Sequence, residues 1–319
     1  MPDTSRGDGP ELPEVQMHLH RPGDGGIGIV TKNEICTAKK AAGFVRHLEI
    51  DVSKTRLAGQ FRSGQSFGVC PPGVDDKGRP HQQRLYSIAS PSRGEDGQGN
   101  VLSTTVKRLI DEDWVTHRLY TGLASNHLCD LDEGDEIEIF GPNGKRFLLP
   151  TRQDDYDYLF IATGTGIAPF RGMLMDLYEH KPPPRSATLI MGTPYATDLM
   201  YHDQFTMLDR ENPSFTYLTA LSRERQNDCD QGLYVQDRLR THREQIADLL
   251  ARPTTLVYIC GLIGMEMGIF QQMARMLPEE ALAQYLRIDE EIRGDVDGWT
   301  RKMLHRKIKP TRRVFVEVY

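Results

Sequence analysis

Within seven residues, Arg84-Leu85-Tyr86-Ser87-Ile88-Ala89-Ser90, the chain places a cation, an aromatic ring and two hydroxyls. In a strand, residues two apart share a face, so Arg84, Tyr86 and Ile88 point one way and Leu85, Ser87 and Ala89 the other. A guanidinium can pair with a phosphate, and a phenol ring can stack on a flat heterocycle. Flavin adenine dinucleotide carries both groups. An ordinary half-buried strand with a surface arginine and a packed tyrosine accounts for the same residues, so this segment alone does not decide.

Five further places could do chemistry. Thr163-Gly164-Thr165-Gly166-Ile167-Ala168-Pro169-Phe170 follows the apolar run Tyr158 to Ala162 and precedes a helix-like segment from Pro169 to Tyr178. Glycines at such a turn let a pyrophosphate approach backbone amides at a helix start. Pro169 stands where a dehydrogenase fingerprint has its third glycine, and proline fits there because the first helical turn has no use for its missing N–H. Gly122-Leu123-Ala124-Ser125-Asn126 is a second small-residue cradle. Ser222 and Arg223 follow the apolar run Phe215 to Ala220; a hydroxyl and a guanidinium there suit a 2'-phosphate, whereas a carboxylate would suit free ribose hydroxyls. A solvated Ser-Arg pair in a loop is the plainer alternative. Glu317 interrupts the apolar strand Val314 to Tyr319, where a carboxylate must be exposed or partnered. Cys260 ends another apolar run, a position usually filled by a small core residue.

The elements that position these groups change character near residue 150. From Ile27 to Pro150, short apolar segments (Phe44 to Ile50, Ser66 to Cys70, Arg84 to Ser90, Leu102 to Lys107, Glu136 to Phe140) alternate with turn residues, including Gly141 to Gly144, which predicts an antiparallel β-barrel. Gln65 and Ser66 are candidates for its ligand edge. Beyond it, apolar runs at Tyr158 to Ala162, Ala187 to Met191, Phe215 to Ala220 and Thr255 to Cys260 alternate with helical patterns such as Gln236 to Leu250. That order predicts a parallel, doubly wound α/β sheet with ligand at the strands' carboxyl ends. The expected division is 1–26 a disordered lead-in, 27–152 the barrel and 153–319 the α/β domain.

The chain has 319 residues, 26% charged and 38% hydrophobic, with a net charge of -6, which describes a two-core globular protein and gives no support for nucleic-acid binding. No apolar run approaches the roughly 18 residues of a membrane helix. Cys36, Cys70, Cys129, Cys229 and Cys260 are widely spaced and never in a Cys-x-x-Cys pair, so no metal site is expected and a reducing cytoplasmic setting is natural. The N-terminal Met1 to Gly26 is rich in Gly, Pro and Asp and lacks the apolar segment of a secretory signal.

Taken together, Arg84-Leu85-Tyr86-Ser87, Thr105-Val106-Lys107-Arg108, Gly122 to Asn126, Thr163 to Phe170, Cys260-Gly261-Leu262 with Gly264-Met265-Glu266, and the ending Val316-Glu317-Val318-Tyr319 resemble, in the same order, the motifs of plant-type ferredoxin-NADP reductases. The resemblance covers Gly26 onward. It implies an FAD-binding barrel followed by an NADP(H)-binding α/β domain, hydride exchange between NADP(H) and FAD, and single-electron exchange with ferredoxin or flavodoxin. A reductase component of an oxygenase system, and a non-catalytic nucleotide-sensing protein on the same fold, are the alternatives.

By the same resemblance, Arg84, Leu85, Tyr86, Ser87, Thr105, Val106, Lys107, Leu123, Ala124 and Ser125 would hold FAD. Thr163, Thr165, Gly166, Thr193, Pro194, Ser222, Arg223, Tyr234, Gln236, Gly261 and Leu262 would hold NADP(H). Ser87, Cys260, Glu317 and Tyr319 would act at the reacting rings, with Tyr86 and Tyr319 covering the two flavin faces. Three departures stand out: Ala124 replaces a common cysteine, Gly232 replaces a lysine two positions before Tyr234, and Asp111 replaces a tyrosine that stacks on the FAD adenine, leaving Trp114 as the expected substitute. A basic run, Arg301, Lys302, Arg306, Lys307, Lys309, Arg312 and Arg313, is either a solvated face or a surface that steers an acidic carrier.

Overall fold

The computed structural model describes residues 9–179 and 181–319. They form two compact units, one of 14–149 with 167–179, the other of the described residues in 9–13, 150–166 and 181–319. In the first unit, strands β1 (Gly26–Ile35), β2 (Val45–Asp51), β3 (Ser66–Val69), β4 (Arg84–Ser87) and β5 (Val101–Lys107) precede a hairpin, β6 (Ile110–Glu112) and β7 (Leu119–Thr121), then helix α1 (Leu123–Asp130) and strand β8 (Glu136–Asn143). The sheet order is β4-β3-β8-β1-β2-β5. Its end strands are joined by one bridge, Ile88 to Thr104, and the Thr104 hydroxyl donates to the Ser87 carbonyl at 2.8 Å. Leu48, Ile50, Phe67, Leu102, Val106 and Ile139 fill the interior, as the period-two pattern requires.

Three expectations need correction here. Residues 1–8 lie outside the described residues, but 9–25 are not a disordered lead-in: the His18 N–H donates to the Pro142 carbonyl at 2.9 Å, and the His20 N–H to Gly141 at 3.0 Å. The partner is the end of β8, which composition cannot reveal. For the same reason Gly141 to Asn143 is strand rather than turn, with Asn143 opposite Ser66. Helix α2 (Ile167–Glu179) belongs with the barrel residues, not with the α/β unit that brackets it in sequence. Its Asp176 is half-buried and accepts from the Ser63 and Ser92 hydroxyls at 2.7 and 2.6 Å, while Arg171 donates to the Ala89 carbonyl at 3.0 Å and pairs with Glu95.

The second unit contains β9 (Asp157–Thr163), β10 (Ser186–Thr193), α3 (His202–Glu211), β11 (Phe215–Leu221), α4 (Val235–Thr241), α5 (Arg243–Ala251), β12 (Thr255–Gly261), α6 (Met265–Met276), α7 (Glu279–Leu282), β13 (Leu286–Ile288), α8 (Glu290–Arg293), β14 (Ile308–Pro310) and β15 (Val314–Val318). The expected helix from Gln236 to Leu250 is therefore two helices, broken at His242, whose backbone leaves helical geometry (φ -112, ψ 37). Five strands pair in the order β11-β10-β9-β12-β15, all parallel. The order reverses between β9 and β12, so the crevice for a ligand opens at Thr163 and Gly261. One sheet face buries Leu159, Ile161, Val257 and Ile259; the other carries a stack of Tyr158, Phe160, Tyr258 and Phe315.

Candidate active site

In the second unit, the two strand ends at the switch point are locked together. The Leu262 N–H donates to Thr163 Oγ1 at 2.8 Å. A side chain at Gly166 would meet the Cys260 carbonyl oxygen at 2.3 Å, so only glycine lets the two loops approach this closely. Tyr319 is tied to the same place by three bonds: its N–H to the Gly261 carbonyl at 3.0 Å, its carbonyl to the Ile263 N–H at 3.1 Å, and its hydroxyl to Thr165 Oγ1 at 2.8 Å. It is still 57% exposed, so its ring spans the mouth of the crevice without being packed away.

Parallel register sets Cys260 beside Glu317. Alternation along β12 and β15 sends Cys260, Glu317 and Tyr319 to the same sheet face. Cys260 is fully buried, and burial together with the Glu317 charge pushes its thiol well above the ordinary range. It is a neutral, apolar surface rather than a nucleophile. Burial likewise raises the Glu317 carboxyl to about 7, and no hydrogen bond to another described residue offsets the cost.

A second corner of this unit lies at the ends of β10 and β11. The Ser222 and Arg223 N–H groups donate to the Thr193 and Pro194 carbonyls at 3.0 Å each, bringing those four predicted residues together. Arg223 is exposed and its guanidinium has no partner among the described residues. The adjacent carboxylate, Glu224, is turned away to accept from the Ala196 N–H at 2.7 Å. Gly232 explains the missing lysine: a side chain there would meet the Ser222 carbonyl at 2.3 Å. Tyr234 is 62% exposed just before α4, and Gln236 is half-buried in its first turn.

In the first unit, β4 and β5 are the two ends of the sheet order, and the Ile88–Thr104 bridge links them. Arg84 is exposed and, among the described residues, donates only to the Gln82 and Gln83 carbonyls at 3.2 Å, and Leu85 is exposed beside it. Tyr86 packs against Phe67, and burial pushes its phenol up to about 12. The Ser87 hydroxyl makes no hydrogen bond to another described residue. Thr105 is buried and Val106 faces the core, so these two would meet a ligand through backbone, while Lys107 is exposed.

Helix α1 begins at Leu123, and its first internal bond is from the Asn126 N–H to Gly122, at 3.0 Å; the amides of Leu123, Ala124 and Ser125 precede it and face outward. Ala124 is buried, and the Ser125 hydroxyl is engaged within its own loop, accepting from Leu109 N–H at 3.3 Å and donating to Gly122 at 3.2 Å. Gln65 is not a ligand residue: it is fully buried and bonds to Arg62, Gln16 and Gly144. Trp114 is 83% exposed at the tip of the β6–β7 hairpin. The residue opposite Asp111 is Tyr120, whose hydroxyl donates to Asp111 Oδ2 at 2.9 Å. Sequence reading missed it, because the pairing exists only once the hairpin register is known.

Comparison with known proteins gives the lineage of these two sites. The family described as Oxidoreductase NAD-binding domain matches residues 160–271. A ferredoxin–NADP reductase of Spirulina sp. is 36% identical over 266 residues, 82% of this chain and 90% of that protein. The chain belongs to the ferredoxin–NADP reductase family. Another member, from Synechocystis sp., is 38% identical over 80% of this chain and 62% of its own longer length; the chloroplastic leaf isozyme 1 of Arabidopsis thaliana is 36% identical over 84% and 74%. The fold matches that of a solved ferredoxin-NADP+ reductase from Plasmodium falciparum with 2'P-AMP (TM-score 0.68, 20% identity, 95% of this chain and 99% of that one). None of the described helices is long and apolar enough to cross a membrane.

Proposed function

We propose that this protein is an FAD-dependent ferredoxin–NADP reductase. The observation that carries this reading is the switch-point cluster, where Thr163, Gly166, Cys260 and Gly261 form a glycine-lined crevice and Tyr319 lies across its mouth beside a half-buried Glu317. The open seam of the barrel fits FAD: Arg84 and the outward amides of Leu123, Ala124 and Ser125 would hold the pyrophosphate. Tyr86 would pack on one ring face, and Ser87 would offer its free hydroxyl. Tyr120 takes the adenine in place of a residue at position 111, because directly opposed positions of an antiparallel pair project to the same side. Asp111 fixes the ring by its phenol.

FAD when bound supplies the exchange between paired and single electrons. The chain's own groups bind, orient and exclude. Ser222 and Arg223 take the 2'-phosphate of NADP(H), Thr163 to Gly166 its pyrophosphate, and Leu262 and Cys260 offer apolar surface to the nicotinamide. Tyr319 must swing aside for that ring, so its hydroxyl bond to Thr165 adds to the cost of entry. Glu317, with a pKa near neutrality, holds or releases a proton beside the reacting rings.

The electron partner is ferredoxin or flavodoxin, and an acidic carrier would approach the basic run between Arg301 and Arg313. Arg301 pairs with Glu266, Lys307 with Glu291, and Arg313 turns to the Pro253 carbonyl, which leaves Lys302, Arg306 and Lys309 exposed and without an ion pair among the described residues. We assign the protein to the cytoplasm on its five free cysteines. Extraction of the purified protein should release FAD rather than FMN, and NADPH should reduce the bound flavin; a colourless protein that retains no flavin would refute the reading.

A further inference from the structure

Behind β15 lies a cavity of about 300 Å³ lined by Glu266 and Phe270 of α6, Arg301, Lys302, Leu304, His305, Pro310, Val316 and Val318. Val316 and Val318 alternate with Glu317, so the cavity opens on the opposite face of the strand from the Cys260–Glu317–Tyr319 group. Its floor is apolar. Its rim is cationic, and the only carboxylate in the lining, Glu266, is 3% exposed and already engaged: Oε2 accepts from the Gly264 N–H at 2.7 Å and Oε1 from Arg301 Nε at 3.2 Å. Lys302 and the His305 imidazole have no partner among the described residues, and Arg301 keeps its terminal nitrogens free. The segment is held in shape by His305 N–H to Ile308 at 2.8 Å and Lys307 N–H to Met303 at 2.9 Å.

The geometry points to a binding site for a small organic monocarboxylate with an aromatic or branched apolar body. The carboxylate meets the guanidinium edge of Arg301, the Lys302 ammonium and the His305 imidazole N–H, and the body covers Phe270, Leu304, Val316 and Val318. An inorganic anion would leave that floor wet, and a dinucleotide exceeds the volume, which is at the small end for ligand pockets. Occupation is coupled to the other side of the sheet. A carboxylate competing for Arg301 loosens its hold on Glu266, and Glu266 fixes Gly264 in the loop that follows Gly261 and Leu262. The coupling, though not the binding site, rests on the reading that this loop receives the nicotinamide.

The test is calorimetric titration of the holoprotein with 2-naphthoate, with phosphate as the comparison anion. A single saturable naphthoate site, weakened about ten-fold or more in the double variant Lys302→Ser/His305→Ser, is expected, since two polar contacts of about 1 kcal/mol each are lost. Circular dichroism and flavin content check that the variant is folded. Phosphate binding as tight as naphthoate, no saturable naphthoate site, or an affinity unchanged in the variant would overturn the site. With NADP+ saturating, the naphthoate affinity should change several-fold, and naphthoate should change NADP+ affinity by the same factor. An unchanged value would overturn the coupling; failure of the protein to bind NADP+ at all would instead count against the proposed function.

Discussion

The Thr165 hydroxyl and the Tyr319 phenol are 2.8 Å apart, joining the loop after β9 to the end of β15 directly over the switch point. The Tyr319 backbone is already held by Gly261 and Ile263 in the loop after β12, so this contact adds a latch rather than a scaffold. On the proposed function it opens when the nicotinamide enters.

Removing the latch should therefore favour the nucleotide. A hydrogen bond of this type contributes about 1 kcal/mol net, so Thr165→Val is expected to tighten NADP+ by up to about five-fold. Tyr319→Ser should tighten it further, relax discrimination against NADH, and slow turnover because the nicotinamide leaves slowly. Nucleotide titrations and steady-state kinetics check both. Values equal to the parent's for Tyr319→Ser would make Tyr319 a surface residue only.

Glu317 gives a pH dependence of definite sign. Burial raises its carboxyl from 4.5 to about 7, so between those values the folded protein binds more protons than the unfolded chain. Stability then falls as pH rises through that window, by at most about 3 kcal/mol. Denaturation curves of the parent and Glu317→Gln should converge below the window and separate above it, with the glutamine variant the more stable. Dye reduction by NADPH should show an inflection near the upper end that the variant lacks. Parallel stability profiles would remove Glu317 as a titrating group.

Arg223 tests the choice of nucleotide. Arg223→Ala deletes a charge-assisted contact worth about 1.5–3 kcal/mol, which corresponds to at least a ten-fold rise in KM for NADPH and little change for NADH. Equal losses with both cofactors would move the 2'-phosphate site elsewhere.

Tyr120 tests the adenine subsite without reference to turnover. Apoprotein carrying Tyr120→Ala should bind FAD about ten-fold more weakly by flavin fluorescence while its FMN affinity stays at the parent value, because FMN has no adenine. Trp114→Ala should leave both unchanged. The reverse pattern would restore Trp114 as the stacking residue.

Local pattern made part of this legible. Arg84 to Ser87, Thr163 to Gly166 and Val314 to Tyr319 are short segments whose residue types already declare strand or phosphate loop, and each falls where the pattern put it. What stayed hidden depends on partners far away in sequence. Helix α2 follows the loop at Gly166, yet its placement is decided by Asp176 meeting Ser63 and Ser92. Residues 9–25 looked like a tail because their hydrogen-bond partners at Gly141 and Pro142 carry no local signature. Tyr120 required the β6–β7 register, and the Arg301–Glu266 pair required α6 to pack beside a basic run that reads, by itself, as solvated surface.

The central claim is electron exchange from NADPH through bound FAD to a single-electron carrier protein. Anaerobic rapid mixing tests it most directly: the protein is first reduced with NADPH, then mixed with oxidised ferredoxin while the flavin absorption band is followed. The account predicts loss of the band on adding NADPH and its return at a rate that rises with ferredoxin concentration and falls with added salt. A flavin that NADPH leaves oxidised, or that stays reduced in the presence of both ferredoxin and flavodoxin, would contradict it.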